Sequence, residues 1–399
     1  MRQQAGPPRD ISAATILLLA AACGLIVANI YYAQPLAGPI AESLGLAPAA
    51  AGLIVTLSQV GYGLGLLFIV PLGDRFENRR LVVVCALGSA LALGLAAVAT
   101  SPAAFLAAMG AIGVGSVAVQ ILVPLAAHLA PEAVRGRVVG LVSSGLMIGI
   151  MAARPAASVL AAALSWRAVF VASAALMLAL AAILARLLPV RVPETRLSYA
   201  ALIRSIAGLV AETPALRLRA FYQACLFSAF SLFWTTAPLL LAGRDYGFTQ
   251  NGIALFGLAG VSGAVGAPIA GRLADRGLTK AATAAAIVIV AAGFLATIVA
   301  PQGSTLALFL LVAAAIAIDF GVQANLVLGF RTIFALAPEA RGRLNAAYIA
   351  TFFLSGAVGS AVGGWSYARG GWPLASAIGL ALPLAALARF VFRAATGRA

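Results

Sequence analysis

Long apolar runs recur along the whole chain, and they limit its possible folds more than any other feature of the sequence. Each run is close to the ~20 residues that a helix needs to cross the hydrocarbon core of a bilayer. Barrel strands would instead alternate over about 10 residues, and only a helix satisfies every backbone group within one such run. The sequence therefore predicts an all-α membrane protein with twelve transmembrane helices, at about residues 13–34, 49–72, 80–100, 103–128, 138–164, 167–188, 218–242, 250–274, 280–300, 304–330, 343–367 and 372–392.

Charge is scarce and lies mainly between the apolar runs. Only 9% of the residues are charged, whereas a soluble domain carries about 25%. The net charge of +15 fits contact with the anionic head groups of a lipid bilayer. Its spread over many connections argues against nucleic acid as a partner. His128 is the only histidine and the three cysteines lie far apart, so we expect neither a metal nor a cofactor.

Lysine and arginine are distributed unevenly between alternate connections. If the N-terminus is cytoplasmic, 22 of the 26 basic residues face the cytoplasm, and they include Arg2, Arg9, Arg196 and Arg398. Arg154 lies within a span, and three face the opposite side: Arg167, Arg244 and Arg369. Because basic residues favour cytoplasmic connections, we predict a multi-pass protein of the bacterial inner (plasma) membrane with both termini in the cytoplasm.

The longest connection, at about 189–217, carries prolines and mixed charge and divides the chain. We predict an N-terminal six-helix bundle over 1–188, a cytoplasmic linker over 189–217 and a C-terminal six-helix bundle over 218–399. An amphipathic stretch at 197–210 predicts a helix that lies at the membrane interface. Three apolar side chains share one face of that helix: Leu202, Ile206 and Leu209.

Three landmarks recur in the same order in the two halves, at offsets of 201 to 207 residues. Such a repeat predicts two pseudo-symmetric bundles with a substrate site near the membrane midplane, between the halves. The landmarks are Asp74-Arg75 and Asp275-Arg276 after spans 2 and 8, segments 131–137 and 338–343 after spans 4 and 10, and Trp166 and Trp372 before spans 6 and 12.

On these residues the chain resembles the major facilitator superfamily over essentially its whole length. The loop at 271–277, with the sequence GRLADRG, matches the cytoplasmic loop signature of that family closely. The first copy keeps Asp74, Arg75, Arg79 and Arg80, while Val70 and Glu77 replace its two glycines. The resemblance implies a transporter that works by alternating access and binds a small-molecule substrate.

The same resemblance implies a conformational latch, in which each loop aspartate binds a helix N-terminus and an arginine of the other half. The expected partner of Asp74 is Arg343, and that of Asp275 is Arg137. Generic positive-inside charge would explain the arginines but not a repeated Asp-Arg pair. The predicted latch residues are Asp74, Arg75, Asp275, Arg276, Arg137 and Arg343.

The segment 29–36, with the sequence NIYYAQPL, closes span 1 and resembles a bacterial branch grouped with drug and acriflavine-susceptibility exporters. Two hallmarks of drug/proton antiporters differ here. Met109 lies near the position of the usual helix-4 arginine, and the glycine-proline pattern of helix 5 is only partly met, by Gly140, Gly149 and Pro155.

Two ionisable residues lie near the middle of a span, Arg154 in span 5 and Asp319 in span 10. Each costs about 2.5–3.5 kcal/mol at that depth and is usually functional. Because they belong to opposite halves, we predict that they pair at the midplane. A low dielectric favours a protonated carboxyl and a nearby arginine favours an ionised one, so the pair is the predicted proton-coupling site. A purely structural ion pair is the alternative.

Five further polar residues lie in spans that the family resemblance assigns to the central cavity. They are predicted to bind substrate, although polar residues also join helices structurally. These are Asn29 and Tyr32 in span 1, Gln120 in span 4, Gln223 in span 7 and Gln323 in span 10. The remaining walls should be aromatic: Tyr31, Tyr32, Phe227, Phe230, Phe233 and Trp234.

Three functions compete on these observations. The first is proton-coupled export of small amphiphilic compounds by a monomeric antiporter. The second is uptake or exchange of a small organic anion bound by Arg154, and replacing Asp319 would discriminate between the two. The third is a membrane enzyme or a sensor without transport. One histidine and one intramembrane acid provide no nucleophile–base pair, so we predict that the chain is not an enzyme.

Overall fold

The computed structural model describes residues 11–193, 198–336 and 341–396. Several residues that the sequence arguments used lie outside this part of the chain: Arg2, Arg9, Arg196, Leu197, Arg398 and the segment 338–340. The described residues form fifteen α-helices: α1 (Ala13–Ala28), α2 (Ala37–Leu44), α3 (Leu53–Phe68), α4 (Asn78–Val98), α5 (Pro102–Ser116), α6 (Val119–Leu129), α7 (Arg135–Ala163), α8 (Trp166–Leu187), α9 (Tyr199–Glu212), α10 (Pro214–Ala242), α11 (Gln250–Gly257), α12 (Gly263–Asp275), α13 (Thr279–Val299), α14 (Thr305–Phe334) and α15 (Arg341–Ala395).

Within the described ranges, ten helical segments are long and apolar enough to cross a membrane. They coincide with predicted spans 2 to 10 and with the region of the last two spans. That last segment, α15, contains 55 residues and is broken by non-helical dihedral angles at Gly370 and Gly371. Gly371 has φ +61°, which only glycine adopts at little cost. The break lies between the predicted spans 343–367 and 372–392.

The first predicted span, 13–34, differs from the observed helix. The regular helix α1 ends at Ala28, and residues 29–36 continue as turns before α2 begins at Ala37. Pro35 has no backbone N–H and disfavours helical dihedral angles at the residue before it, so the helix cannot continue unchanged through this segment. The irregular segment changes the direction in which its side chains point.

Two inter-helix contacts depend on the absence of side chains. In α1 and α7, a Cβ atom added to Gly24 would come within 2.7 Å of the Gly145 carbonyl oxygen. Near the start of α3, a Cβ atom added to Gly364 would come within 2.6 Å of the Gly52 nitrogen. These glycines therefore allow the backbones to approach, as small residues commonly do between membrane helices.

The first half of the chain, α1 to α8, contacts the second half, α10 to α15, along a seam between α3 and α15. Neutral groups make this contact. Thr56 Oγ1 and Ser360 Oγ lie 2.7 Å apart, Gln59 Nε2 donates to Ser231 Oγ of α10 at 2.8 Å, and the rings of Tyr62 and Phe353 have centroids 4.4 Å apart. The seam thus joins the halves without charge.

The linker contains the predicted amphipathic helix, observed as α9. Its N-cap Ser198 accepts a hydrogen bond from the Ala201 amide at 3.2 Å, which satisfies one of the free amides of the first turn. Leu202 and Ile206 are buried, and Tyr199 Oη donates to the Phe68 carbonyl at 2.8 Å. Protein therefore covers much of the apolar face, and the position of this helix at the membrane interface stays a prediction.

Candidate functional site

Arg154 of α7 and Asp319 of α14 lie together in the interior, between the two halves of the chain. The residues are 3% and 4% exposed, and Arg154 Nη1 is 3.9 Å from Asp319 Oδ1. The predicted proximity of the two groups is therefore observed. Replacing a buried pair of this kind by apolar residues is often neutral for stability, so a contribution to stability does not by itself account for the pair.

Aromatic rings surround the Arg154 guanidinium. Its central carbon lies 4.1 Å from the ring centroid of Trp234, 5.1 Å from that of Phe230 and 5.4 Å from that of Tyr31. A desolvated cation over an aromatic face gains about 2 kcal/mol. Arg154 Nε also donates to Gln34 Oε1 at 2.7 Å. The guanidinium therefore has favourable contacts besides its carboxylate.

Trp234 connects both charged groups. Its ring lies over Arg154, and its Nε1 donates to Asp319 Oδ2 at 2.7 Å. The second carboxylate oxygen, Oδ1, faces Arg154. One side chain from α10 thus fixes the position of an acid on α14 and a base on α7.

Two N–H donors beside the pair have no hydrogen-bond partner among the described residues: Arg154 Nη2 and Gln34 Nε2. Both atoms are buried, and both belong to the side chains joined by the 2.7 Å Arg154–Gln34 hydrogen bond. Leaving a buried donor unsatisfied costs about 1–3 kcal/mol, and more when the group is charged. Unpartnered donors at this position are therefore candidates for binding an acceptor group of a ligand.

A cavity of about 20 Å³ adjoins the pair, which is room for roughly one water molecule. In this conformation the protein is contracted around the charges, and a larger molecule would require the surrounding helices to move apart. Side chains and glycines from both halves line the cavity: Tyr31, Met147, Ile150, Met151, Arg154, Phe227, Phe230, Gly260, Gly263, Ala264, Asp319 and Gln323.

Of the five predicted substrate-binding residues, Gln323 alone lines this cavity. Asn29 lies on the α8 side of the first helix and accepts a hydrogen bond from Ser173 at 2.6 Å. Tyr32 borders an apolar groove between α1 and α7. The irregular turns after Ala28 explain this outcome, because they place Tyr31 and Gln34 toward the pair.

The other two glutamines bind neighbouring helices. Gln120 donates to Tyr62 Oη at 3.0 Å and accepts from Asn345 Nδ2 at 3.3 Å, at the seam. Gln223 accepts from Asn325 Nδ2 at 2.7 Å, between α10 and α14. Neither side chain lines the cavity beside Arg154 and Asp319 in this conformation, because the choice of spans does not fix which helix face each side chain occupies. Their role in binding substrate stays a prediction.

Four aromatic residues border the pair as the sequence predicts: Tyr31, Phe227, Phe230 and Trp234. Phe233 instead packs edge-to-face against Phe294 and Trp372, inside the second half. Gln34 contacts Arg154, a contact that the sequence analysis does not predict. The available signal is a second amide in segment 29–36, directly before Pro35.

The predicted partner of Asp275 is wrong in this conformation. Asp275, at the end of α12, forms an ion pair with Arg331 in the last turn of α14, so both partners lie in the second half. Among the described residues, no ion pair joins Asp275 to Arg137. The ends of the packed helices α12 and α14 bring Asp275 and Arg331 together. This contact was not predicted because the two residues are far apart in the sequence.

The first loop copy has a different environment. Asp74, Arg343 and Arg191, which follows α8, line a cavity of about 100 Å³. Arg191 holds Asn78 through two hydrogen bonds: its carbonyl accepts from the Asn78 amide at 3.0 Å, and its Nη1 donates to Asn78 Oδ1 at 2.9 Å. Asp74 thus lies near its predicted partner Arg343, with Arg191 as a neighbour that the sequence did not indicate.

The remaining latch candidates lie at the surface. Arg75, Arg137 and Arg276 are exposed, and in the described part of the chain none of them forms an ion pair with a loop aspartate. Two basic residues of the first loop copy pair locally with Glu77, namely Arg79 at 3.3 Å and Arg80 at 2.8 Å.

Sequence comparisons match the chain to a transporter family and to relatives that are named as uncharacterized or probable transporters. A family model described as Major Facilitator Superfamily matches residues 16–327 and 220–398. The uncharacterized transporter YgaY of Escherichia coli O157:H7 is 39% identical over 366 residues, which are 92% of this chain and 92% of that protein. A probable transporter of Streptomyces coelicolor is 36% identical over 371 residues, which cover 92% of this chain and 84% of that protein.

Solved structures share the fold at low sequence identity. A mutant of the nucleoside transporter NupG superposes with a TM-score of 0.74 and 14% identity, covering 94% of this chain and 98% of that one. A bacterial homolog of the human lysosomal transporter Spinster, inward-facing and occupied, gives a TM-score of 0.70 and 17% identity, covering 98% and 95% of the two chains. These likenesses show the fold alone.

Proposed function

Because the chain belongs to the major facilitator superfamily, we propose that it is a secondary active transporter that moves a small amphiphilic molecule by proton-coupled alternating access. One observation carries the proposal: a buried acid and a buried base, Asp319 and Arg154, face each other from opposite halves of the chain at 3.9 Å. In proton-coupled transport, binding of the proton must change the interaction between the two halves of the protein. Protonation of Asp319 can do this, because it removes the charge that attracts Arg154.

We further propose twelve spans in two six-helix bundles, over 1–188 and 218–399, with 189–217 as a cytoplasmic linker. Ten described segments are long enough to span. The shorter α1 with its following turns would add one span, and division of α15 at Gly370-Gly371 would add another. The excess of basic residues on one side supports cytoplasmic termini in the inner membrane of a bacterium. We expect a monomer.

The coupling step follows from charge. When Asp319 is ionised, Coulomb attraction draws α14 toward Arg154 on α7, and at short range in a low dielectric this attraction is strong. A proton on Asp319 removes that attraction, while Trp234 can still donate to the neutral carboxyl group. Separation of the two halves then becomes easier, so proton occupancy biases the alternating-access equilibrium.

Export is the direction that the resemblance of segment 29–36 to drug exporters favours. The small organic anion is the second candidate substrate, and a specific observation supports it: Arg154 Nη2 and Gln34 Nε2 are buried donors without a partner in the described residues. A substrate that is both amphiphilic and anionic would fit the two candidate classes, with its apolar part against the aromatic walls.

Flux measurements test this proposal. The purified protein would be reconstituted in proteoliposomes and given an inward or outward pH gradient, with substrates chosen by a thermal-shift panel. We expect flux that follows the proton gradient in the wild type and loses that dependence in Asp319→Asn. Gradient-driven flux of normal size in Asp319→Asn would refute the assignment of Asp319 as the coupling site.

A further inference from the structure

The donor set beside the ion pair points to a ligand with a negatively charged oxygen. Arg154 Nη2 and Gln34 Nε2 have no described acceptor, and the 2.7 Å bond from Arg154 Nε to Gln34 Oε1 fixes the two side chains together. A guanidinium N–H and a nearby amide N–H can each donate to an oxygen of a carboxylate, and hydrogen bonds from a guanidinium to a carboxylate are among the strong ones. A ligand without an acceptor oxygen would leave these donors unsatisfied.

The charge of the site limits which ligand can enter. The titratable groups that line the cavity are Asp319 on α14, Arg154 on α7 and Tyr31 after α1. Within the described residues, α10, α12 and the 3-10 helix Leu258–Ser262 before it contribute only neutral groups. With Asp319 ionised and the phenol neutral, the site has zero net charge. A monovalent anion alone would make it negative, in a region where an uncompensated charge is strongly unfavourable.

A proton on Asp319 restores neutrality when an anion binds. The protonated carboxyl group then becomes a donor and can face the bound carboxylate, while Trp234 Nε1 keeps its acceptor on Asp319. An organic cation has no comparable solution, because the described cavity holds no second acid to balance it beside Arg154. The requirement for zero net charge therefore admits an anion together with a proton and excludes a cation.

The walls indicate the rest of the ligand. Tyr31, Phe230 and Trp234 surround the guanidinium, and Phe227 and Met151 line the cavity beside it. Flat apolar or aromatic bodies pack well against such side chains. The 20 Å³ cavity must widen to accept them, which couples ligand entry to separation of α7 from α14.

We propose that this site binds an apolar or aromatic monocarboxylate together with one proton, the carboxylate on Arg154 and Gln34 and the proton on Asp319. The inference rests on the proposed proton-coupled transport, and it specifies the substrate class and stoichiometry for the second candidate substrate, the organic anion. Because anion and proton occupy the site together, they cross the membrane together, and an inward proton gradient drives uptake. This direction is opposite to that of the exporter branch.

Proton counting tests the co-binding without any transport assay. Benzoate, benzamide and benzylammonium would be titrated into the purified protein by calorimetry in two buffers of different ionisation enthalpy. We expect benzoate to bind at least tenfold more tightly than the other two probes, with about one proton taken up per benzoate. Equal binding of benzamide, binding of benzylammonium only, or the absence of proton uptake would each overturn the inference, as would failure of benzoate, phenylacetate and salicylate alike to bind.

Two variants test where the proton and the anion bind, and a third is a control. Asp319→Asn should bind benzoate with no proton uptake, and Gln34→Leu should weaken benzoate binding at least fivefold while proton uptake per bound anion is kept. Gln223→Leu is the matched control, since it removes a buried glutamine that binds Asn325 away from the cavity, and it should bind benzoate as the wild type does. Equal losses in Gln34→Leu and Gln223→Leu would remove Gln34 from the site.

Binding and flux measurements together distinguish a wrong assignment of the anion–proton site from a wrong assignment of proton-coupled transport. If benzoate binds with one proton but no substrate moves with a pH gradient in proteoliposomes, the co-binding stands and proton-coupled transport is refuted. If a neutral or cationic substrate shows gradient-driven flux that depends on Asp319, transport stands and the anion–proton site is refuted.

Discussion

The two halves of the chain meet in two chemically different places. Along the α3–α15 seam the contacts are hydroxyl, amide and aromatic, as in the 2.7 Å approach of Thr56 to Ser360 and the 2.8 Å bond from Gln59 to Ser231. Between α7 and α14 the contact is an ion pair at 3.9 Å. Protonation changes the second contact and leaves the first unchanged, so the seam can hold the halves together while the ion pair switches.

Burial strengthens this difference. Arg154 and Asp319 are both nearly inaccessible, so their interaction is poorly screened and their loss of hydration is large. A neutral hydrogen bond in the same setting contributes only about 0.5–1.5 kcal/mol. Substitutions at the ion pair should therefore be the more damaging, and their effects should depend on pH.

Arg154→Ala should have the largest effect. Removing one partner of a buried ion pair costs about 3–5 kcal/mol, and here the aromatic walls also lose their cation. We expect a lower free energy of unfolding in detergent, with a smaller deficit at low pH because a protonated Asp319 needs no counterion. Transport should be lost at every pH.

The double variant Arg154→Ala with Asp319→Asn tests the coupling between the two residues. It should recover part of the stability that Arg154→Ala loses but none of the proton-driven flux, as measured by thermal unfolding and proteoliposome assays. Additive effects of the two single substitutions on stability would mean that the residues do not interact.

Asp319→Asn should come next in size. Asparagine keeps an acceptor for Trp234 and leaves Arg154 among its aromatic rings and beside Gln34, so we expect a loss near the lower end of the ~3–5 kcal/mol that removing one partner of a buried ion pair costs. Flux should no longer follow a pH gradient. Asp245→Asn, on the exposed connection between α10 and α11, is the control and should leave both stability and flux unchanged.

The main features of the site were predictable because charges are rare in the membrane. Hydropathy located the helical segments, and a lone acid and a lone base at membrane depth identified Asp319 and Arg154 as partners. Gln34 was missed because its orientation depends on the turns after Ala28, where Pro35 interrupts the helix. A period of 3.6 residues per turn, counted from the start of span 1, does not apply across that irregular segment.

Tertiary contacts between helix ends were not predictable in the same way. The repeat identified Asp74 and Asp275 as equivalent loop residues, yet Asp275 binds Arg331 of its own half, while Asp74 lies in a cavity with Arg343 and Arg191. A repeat in sequence relates equivalent positions. It does not determine which basic side chain of several is nearest in a given conformation.

Gln59→Leu breaks the neutral seam and should have a moderate effect. It removes the hydrogen bond to Ser231 from a fully buried position, which costs about 1–3 kcal/mol because the serine hydroxyl loses its described donor. We expect flux to fall in proportion at all pH values, with an unchanged dependence on the pH gradient. A shifted pH dependence in Gln59→Leu would contradict the separation of roles between seam and ion pair.

The exposed loop pair should have the smallest effect on stability, since surface ion pairs contribute about 0–1 kcal/mol. Asp275 and Arg331 are both largely solvent-accessible and contact each other directly, so Asp275→Asn and Arg331→Gln should barely change the free energy of unfolding. If the pair acts as a latch, both should shift the accessibility of cysteines placed on the two membrane faces, because a latch biases the conformational equilibrium. The double variant should then shift accessibility no more than either single one, because each substitution breaks the same contact. Arg137→Gln is the matched control. As long as Arg331 is the only partner of Asp275, the Arg137→Gln substitution should leave the cysteine accessibility unchanged. If Arg137→Gln instead reproduces the Asp275→Asn shift, Asp275 exchanges partners during the transport cycle, and the latch between the two halves that the sequence predicts forms in a second conformation.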